Sequence, residues 1–198
     1  MGFFRKKSWE RELAEIGGIA AIFAVLWLFG WHTEVIGRMQ QLLLSSGIIQ
    51  PKITAAENAP DFSYQLRVKN DKGEILSGED LANKVLFINL WASWCPPCVA
   101  EMPDIERLYR KVSSDKILFI MLNIDKNREA AERFLARKSF DFPVWFPASL
   151  MPVELSSRSI PVTFVISPEG KIVVKREGMA KYNTQRFRNF LKKLAEAD

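Results

Sequence analysis

The chain has 198 residues, enough for one domain and a short appendage. Hydrophobic residues make up 48% of the sequence, which is typical of a globular protein and excludes an intrinsically disordered chain. The formal net charge is only +5 and no basic run is interleaved with aromatic residues, so the composition argues against a nucleic-acid-binding protein.

The N-terminal region is predicted to form a membrane anchor over residues 16–36. An uncharged stretch from Ile16 to Trp31 follows a group of basic residues, which are Arg5, Lys6, Lys7 and Arg11. As a helix this stretch extends about 24 Å, and continuing to Ile36 reaches the ~30 Å of a bilayer core. The basic residues place residues 1–15 in the cytoplasm and the rest of the chain outside the cell membrane. A cleaved signal peptide is the alternative, but no small-x-small cleavage site follows the apolar stretch promptly.

Residues 37–60 are predicted to be a juxtamembrane segment and linker between the anchor and the folded domain. Apolar residues between Met39 and Ile49 are compatible with two structures, a segment lying on the membrane surface and a packed continuation of the helix. The stretch from Pro51 to Pro60 is typical of a linker.

The folded domain is predicted to occupy residues 61–198 and to begin with a β-hairpin. Apolar and polar residues alternate from Asp61 to Val68, which indicates a strand. The turn residues Asn70 to Gly73 follow, and the residues from Glu74 to Leu76 can return as the second strand.

The sequence predicts that a buried strand is followed directly by a helix near the middle of the chain. The run from Val85 to Leu90 is apolar except for Asn89, as expected of a strand buried on both faces. Apolar residues then recur at helical spacing, and these are Met102, Ile105, Tyr109 and Val112. Both cysteines of the chain, Cys95 and Cys98, lie at this junction. Pro96 suits the first helical position, because the N–H that it lacks has no partner there.

This junction favours reactive sulfur chemistry at the cysteine pair. A helix N-terminus carries roughly +0.5 of an elementary charge and unpaired N–H groups, and both stabilise a thiolate. Cys95 is therefore predicted to be the exposed nucleophile, and Cys98, one turn further in, the thiol that resolves a mixed disulfide. A structural disulfide is less favoured, because so short a loop adds little stability. A zinc site is less favoured, because it needs four ligands and the single histidine, His32, lies in the apolar N-terminal stretch.

Downstream of the helix that follows the cysteines, the pattern predicts a second strand–helix unit. The run from Ile117 to Leu122 indicates another buried strand, and Asp125 or Asn127 can cap the next helix. The stretch from Phe142 to Val153 is rich in aromatic residues and proline and shows no clear period. It is compatible both with cover for the core and with the wall of a substrate groove.

The C-terminal part is predicted to contain a hairpin and a helix. The residues from Val162 to Ile166 alternate as a strand, Ser167 to Gly170 fits a type I turn, and Lys171 to Lys175 returns as the partner strand. The final helix carries an apolar face that consists of Phe187, Phe190, Leu191 and Leu194. Together these elements predict an α/β protein, a three-layer sandwich with a mixed central sheet.

The string from Asn89 to Pro103, Asn-Leu-Trp-Ala-Ser-Trp-Cys-Pro-Pro-Cys-Val-Ala-Glu-Met-Pro, resembles the thioredoxin superfamily. Its fuller form is similar to the TlpA-like branch, the membrane-anchored extracytoplasmic thiol–disulfide oxidoreductases. The resemblance spans roughly Ala59 to the C-terminus and includes an N-terminal hairpin that minimal thioredoxins lack. It implies a thioredoxin-like fold and disulfide exchange without a bound cofactor, because both electrons reside in the sulfur pair.

The resemblance also implies roles for residues outside the cysteine pair. Pro161 aligns with the proline that the superfamily keeps in cis opposite the sulfurs, which would let the backbone of Ile160 approach a substrate. Asn89 stands where thioredoxins place a buried aspartate that handles protons for the inner cysteine, and an amide cannot titrate. Glu101, three residues past Cys98, is the substitute candidate because TlpA-like proteins carry a glutamate at this spacing. The alternative for Glu101 is a solvated helix charge.

The substrate groove is predicted to include Trp94, Pro96, Pro97 and Ile160. Trp91 and Trp94 are expected mainly to pack around the cysteine pair and not to act chemically. The expected partners are protein disulfide or dithiol substrates, the membrane and an upstream membrane electron donor. A competing hypothesis is a non-catalytic thioredoxin-fold adaptor or a haem- or metal-handling module, for example in cytochrome c maturation. The presence of both cysteines and of Pro161 argues against an adaptor, and the scarcity of histidine argues against haem ligation.

Overall fold

A computed structural model describes residues 4–28, 39–41, 44, 47 and 49–196 of the chain. Within these residues a seven-stranded mixed sheet forms the centre, in the strand order β2-β1-β5-β4-β3-β6-β7. The strands are β1 Val68–Lys69, β2 Ile75–Leu76, β3 Val85–Trp91, β4 Ile117–Asn123, β5 Val144–Pro147, β6 Val162–Ile166 and β7 Ile172–Glu177. The helices are α1 Phe4–Leu28, α2 Gly78–Leu81, α3 Pro96–Val112, α4 Arg128–Ala136 and α5 Gln185–Glu196, with short 3-10 turns at Ala56–Asn58 and Val153–Leu155.

Strand β3 lies in the interior of the sheet, between β4 and β6, and apolar side chains cover both of its faces. Every residue of β3 is buried. It pairs in parallel with β4 over the full length of both strands, and it pairs antiparallel with β6. The predicted buried strands at residues 85–90 and 117–122 and the mixed character of the sheet are confirmed.

Two hydrophobic clusters cover the two faces of the sheet. The longer helices that follow the cysteine pair contribute to one cluster, through side chains such as Leu108, Phe134 and Leu191. The other cluster is covered by short elements, which contribute Leu81 of α2 and Leu155 of a 3-10 turn. The predicted three-layer arrangement is therefore present only in part, because the long helices of the domain are concentrated on the face that carries α3 and short elements cover the other face.

The predicted N-terminal strand from residue 61 to residue 68 is wrong over most of its length, because β1 begins only at Val68. Further upstream, Phe62 donates its backbone N–H to the carbonyl of Gly170, in the turn before β7. Residues 61–67 therefore cross one face of the sheet and do not pair along one neighbouring strand. Its alternating pattern reflects the burial of Phe62 and Leu66 against that face. The hairpin itself is present, since β1 and β2 pair antiparallel.

Strand β5 lies in the aromatic stretch from Phe142 to Val153, where the sequence predicts no strand. It pairs in parallel with β4 and antiparallel with β1, so it joins the N-terminal hairpin to the main sheet. Phe142 and Trp145 are buried, whereas Leu150 and Val153 are exposed, so the first half of the stretch is core. A strand of four residues that contains a proline is too short to show a period.

The C-terminal hairpin and helix are confirmed. Strands β6 and β7 pair antiparallel, and the turn between them closes with a hydrogen bond of 2.9 Å from the Gly170 N–H to the Ser167 carbonyl. Gly170 has a φ of +80°, a left-handed conformation that glycine adopts without steric cost.

The second half of the predicted linker is hydrogen-bonded to the domain. Thr54 donates its N–H to the carbonyl of Val173 at 2.8 Å, and Ile172 donates to the carbonyl of Pro60 at 2.9 Å. The segment therefore runs along β7, whose outer edge offers unpaired backbone groups. Apolar residues of the segment also pack against the core. These contacts extend the packed structure upstream of residue 61.

Helix α1 covers the first part of the predicted anchor. The side chains of residues 11–21 are all exposed, including the apolar Leu13, Ile16 and Ile19. No helix among the described residues combines the length and the apolar character that crossing a membrane requires. The remainder of the predicted anchor, residues 29–36, lies outside the described residues.

Candidate active site

The cysteine pair lies between β3 and α3, as the sequence predicts. Cys95 and Cys98 are joined by a disulfide. Cys95 is the N-cap of α3, and its Sγ accepts a hydrogen bond of 3.3 Å from the backbone N–H of Cys98. Pro96 and Pro97 occupy the first two helical positions, and neither can supply an N–H to the sulfur.

The loop that carries Cys95 is held by the neighbouring strand. Asp125, just after β4, accepts hydrogen bonds from the backbone N–H and the hydroxyl of Ser93, at 3.0 and 3.2 Å. Asn123 in turn donates to Asp125 at 2.8 Å. These bonds fix the loop between β3 and α3 and with it the position of Cys95. The helix cap considered for Asp125 is instead provided by Asn127.

Both sulfurs are buried in the disulfide form, which corrects the prediction that Cys95 is exposed. Cys95 is 3% exposed and Cys98 is 1% exposed. Cys95 is buried because the chain at Ile160 covers its sulfur: the carbonyl oxygen of Ile160 is 3.8 Å from the Sγ of Cys95. Trp91 is fully buried in the same hydrophobic cluster as both cysteines, as predicted, whereas Trp94 is 61% exposed and does not pack around the pair.

The peptide bond between Ile160 and Pro161 is cis, as the family resemblance implies. Pro161 is buried and directly precedes β6. Val162, the first residue of β6, pairs with Leu90 of β3, so the cis bond lies beside the loop that carries the cysteines. The half-buried Ile160 thereby forms the opposite side of the groove at the sulfur pair.

Glu101 is completely buried one turn after Cys98, which excludes the solvated-charge alternative. Its Oε1 accepts a hydrogen bond of 2.7 Å from Nδ2 of Asn89, and its Oε2 accepts one of 3.2 Å from the N–H of Ala180. Desolvation by burial raises the pKa of the Glu101 carboxyl from the usual 4.5 to about 8, although these hydrogen bonds act in the opposite direction. The group therefore exchanges protons near neutral pH.

Asn89 supports Glu101 from the central strand. Its buried amide donates both to Glu101 and to Oγ1 of Thr163, the latter at 2.9 Å. The amide cannot titrate, but it orients a carboxyl that can. Thr163 lies directly opposite Asn89 on β6 and was not among the predicted site residues. Its signal in the sequence is a single hydroxyl within the otherwise apolar strand.

A second buried carboxylate of α3 ties down the loop that contacts Glu101. Asp104 accepts hydrogen bonds from the backbone N–H groups of Tyr182 and Asn183, at 2.7 and 2.8 Å. The loop before α5 thereby holds the Ala180 N–H against the Glu101 carboxyl. Asp104 was not among the predicted site residues, although its spacing of three residues from Glu101 places both acids on the same side of the helix.

Comparisons with known proteins agree with this geometry. The family model described as Redoxin matches residues 54–185. Thiol-disulfide oxidoreductase ResA of Halalkalibacterium halodurans is 30% identical over 123 residues, which cover 61% of this chain and 70% of that protein. Thioredoxin-like protein YneN of Bacillus subtilis is 30% identical over 123 residues, which cover 61% of this chain and 69% of that protein.

The crystal structure of StoA from Bacillus subtilis matches with a TM-score of 0.54 and 25% identity, over 68% of this chain and 98% of that one. The thioredoxin-like α/β fold with a mixed sheet is therefore confirmed. The matched Redoxin region contains both cysteines, Glu101 and Pro161. The chain belongs to the Redoxin family, as a thioredoxin-like thiol–disulfide oxidoreductase of the TlpA-like branch whose redox pair is Cys95–Cys98.

Proposed function

We propose that this protein reduces disulfides of client proteins outside the cytoplasm while an N-terminal helix holds it in the cell membrane. The observation that carries the proposal is the Cys95–Cys98 pair at the start of α3, with the cis Ile160–Pro161 bond on one side and the buried Glu101 on the other. These parts provide a nucleophilic sulfur, a backbone edge for the client and a group that takes up a proton.

The reaction begins from the reduced protein. The Cys95 thiolate attacks a client disulfide, a bond forms between Cys95 and one client sulfur, and the other client sulfur leaves as a thiolate that solvent protonates. The Cys98 thiolate then attacks Cys95, which restores the Cys95–Cys98 disulfide and releases the second client sulfur. Two electrons pass to the client, so an upstream membrane electron donor must return the pair to the dithiol.

Cys98 has to lose its proton before the second step, and the proposed acceptor is Glu101, one turn further along α3. The Cys98 residue is 1% exposed in the disulfide form, so water has little access to its sulfur. A carboxyl with a pKa of about 8 matches the proton affinity of an ordinary cysteine thiol, near 8.5, which favours proton transfer between them. The ionised Glu101 takes the thiol proton and becomes neutral as the Cys98 thiolate forms.

The client is proposed to bind across the groove beside the disulfide. The exposed indole of Trp94 offers a rigid apolar surface there. The half-buried Pro96 and Pro97 form the adjoining start of α3, and Ile160 lies opposite. An extended client segment can donate a backbone hydrogen bond to the strand segment ahead of β6, as in other strand-addition complexes.

We expect the pair to have a reducing potential. The Cys95 sulfur receives a backbone hydrogen bond from Cys98, but Pro96 and Pro97 have no N–H to add. A less stabilised thiolate gives up its electrons more readily. Equilibration with glutathione redox buffers should therefore place the couple closer to the ~−270 mV of thioredoxin than to the ~−120 mV of a strong periplasmic oxidant.

Two proline variants test the physical reason for this potential. An N-cap side chain accepts hydrogen bonds from the second or third helical residue, so Pro97→Ala offers Cys95 another donor, whereas Pro96→Ala does not. Pro97→Ala should raise the potential by about 30 mV for each ~1.4 kcal/mol of added stabilisation, and Pro96→Ala should change it much less. A wild-type potential near ~−120 mV, or equal shifts in the two variants, would contradict the prediction.

The membrane anchor is a proposal supported by the uncharged stretch from Ile16 to Trp31 and by the exposed apolar side chains of α1. A bilayer would cover side chains that water otherwise contacts. Under this proposal the chain is divided into the cytoplasmic residues 1–15, the membrane-spanning residues 16–36, the connecting residues 37–60 and the extracytoplasmic domain at residues 61–198.

Alkaline carbonate extraction of membranes should leave the full-length protein in the pellet, because a spanning helix is not released when electrostatic attachments are broken. A variant that lacks residues 1–36 is the control and should appear in the soluble fraction. Recovery of a soluble natural form that starts beyond residue 36 would indicate a cleaved signal peptide and would contradict the anchor.

A further inference from the structure

A row of polar side chains crosses the sheet face that packs against α3, the helix that carries Glu101. Asn89 on β3 lies opposite Thr163 on β6, and Thr163 lies opposite Arg176 on β7. Residues directly opposite each other on neighbouring strands share one face, and Asn89 contacts Glu101 on that face. The row therefore leads from the buried carboxyl to the last strand of the sheet, where it ends in a guanidinium group.

Arg176 is half-buried, but its Nε atom is fully buried and has no hydrogen-bond partner within the described residues. Buried donors without a partner are uncommon in folded proteins, and a role in redox chemistry or catalysis is one of the physical explanations for them. The positive charge of Arg176 also acts through space on Glu101, whose pKa it lowers against the larger effect of desolvation.

The other groups that face Glu101 do not provide this positive charge. Asp104, on the same helix, raises the pKa of Glu101 by repulsion. Tyr182, in the loop before α5, has a pKa raised well above its usual value by burial, so its phenol stays neutral. Asn89 and Thr163 carry no charge. Arg176 is the positive member of this set.

We propose that Arg176 is a positioning residue of the redox site: from the β7 end of the row, its charge stabilises the ionised Glu101 that takes the Cys98 proton. This inference rests on the proposed role of Glu101. A carboxyl with a pKa of about 8 is ionised in about one-tenth of the molecules at pH 7. Loss of the Arg176 charge reduces that fraction, and the rate of the resolving step falls by the same factor.

The first readout is the ionisation of Glu101 in the oxidised full-length protein, where the cysteines do not titrate. The midpoint is followed by the carboxyl ¹³C chemical shift of Glu101 as the pH is raised. Arg176→Gln should raise the midpoint by about half a unit, whereas Arg176→Lys, which keeps the charge, should stay near the wild type. Arg186→Gln removes one exposed charge from α5 as the matched control and should leave the midpoint unchanged.

The second readout is the pH dependence of the resolving step, measured as release of reduced client from the mixed disulfide. In Arg176→Gln the rate at pH 7 should fall by about threefold, and the pH–rate profile should move by the same number of pH units as the midpoint of Glu101. Equal midpoints in Arg176→Gln and Arg186→Gln would overturn the proposal. A displaced midpoint with an unchanged rate profile would contradict the proposed role of Glu101, and the role of Arg176 would fall with it.

Discussion

Replacing Cys98 with alanine is expected to stop catalytic turnover and to leave client proteins attached to Cys95. The first exchange still occurs in this variant, but no internal thiol can attack the mixed disulfide. Release of reduced insulin by the pre-reduced protein, without added thiol, should slow by at least about a thousandfold. Non-reducing electrophoresis and mass spectrometry should detect the covalent adduct on Cys95.

Cys95→Ala is the matched control for this experiment, because both variants remove the same disulfide and any stability that it provides. This variant should lose insulin reduction and form no adduct, since Cys98 lies one turn inside α3 and away from the helix start where a client disulfide arrives. Adducts on Cys98 in the Cys95→Ala variant, together with none in Cys98→Ala, would reverse the assignment of the nucleophile.

Replacing Glu101 with glutamine is expected to remove a large pH dependence from the stability of the oxidised protein. Burial raises the pKa of Glu101 from the usual 4.5 to about 8 in the folded state. Between these values the folded protein keeps a proton that the unfolded chain has released, so the free energy of unfolding falls as the pH rises. The loss is about 1.4 kcal/mol per pH unit and up to about 5 kcal/mol in all, and it is complete above about pH 8.

Urea denaturation of the oxidised protein at a series of pH values checks this prediction. At each pH, the free energy of unfolding of Glu101→Gln is subtracted from that of the wild type. This subtraction removes the contributions of the other titrating groups, which both proteins share. The variant should be less stable at low pH, because an amide cannot accept both hydrogen bonds that Glu101 accepts, and it should gain on the wild type as the pH rises.

Glu129→Gln is the control for the loss of a carboxylate, because the Glu129 side chain is 74% exposed on α4. Its free energy of unfolding should depend on pH in the same way as that of the wild type. If the free energy of unfolding of Glu101→Gln also fell with pH as steeply as that of the wild type, Glu101 would titrate near its usual pKa. Proton transfer from Cys98 to Glu101 would then lose its physical basis.

Local patterns in the sequence are sufficient for the central part of the fold. The apolar runs at residues 85–90 and 117–122 predict the inner strands, because a strand buried on both faces has almost no polar positions. The start of α3 is predicted from Pro96 and the residues around it, since capping and proline preferences act within one turn. Resemblance to a family adds the cis bond at Pro161, which no local pattern indicates.

The features that the sequence misses depend on partners that are distant in the chain. Strand β5 is ordered by pairing with β4 and β1, and its own four residues show no period. The segment from Asp61 to Arg67 alternates like a strand, but it crosses a face of the sheet instead of pairing along one neighbour. Cys95 is buried because the chain at Ile160, 65 positions away, covers its sulfur.

The sequence by itself determined which chemistry is available to this protein, namely two sulfurs at a helix start and a glutamate one turn further on. The tertiary structure decided how strongly that glutamate holds a proton. Asn89 is 12 positions from Glu101 and Ala180 is 79 positions from it, yet both donate hydrogen bonds to its carboxyl. Thr163, 74 positions from Asn89, accepts a further hydrogen bond from the Asn89 amide. Desolvation, hydrogen bonding and nearby charge set a pKa through the groups that surround it in space, and the order of residues along the chain does not reveal them.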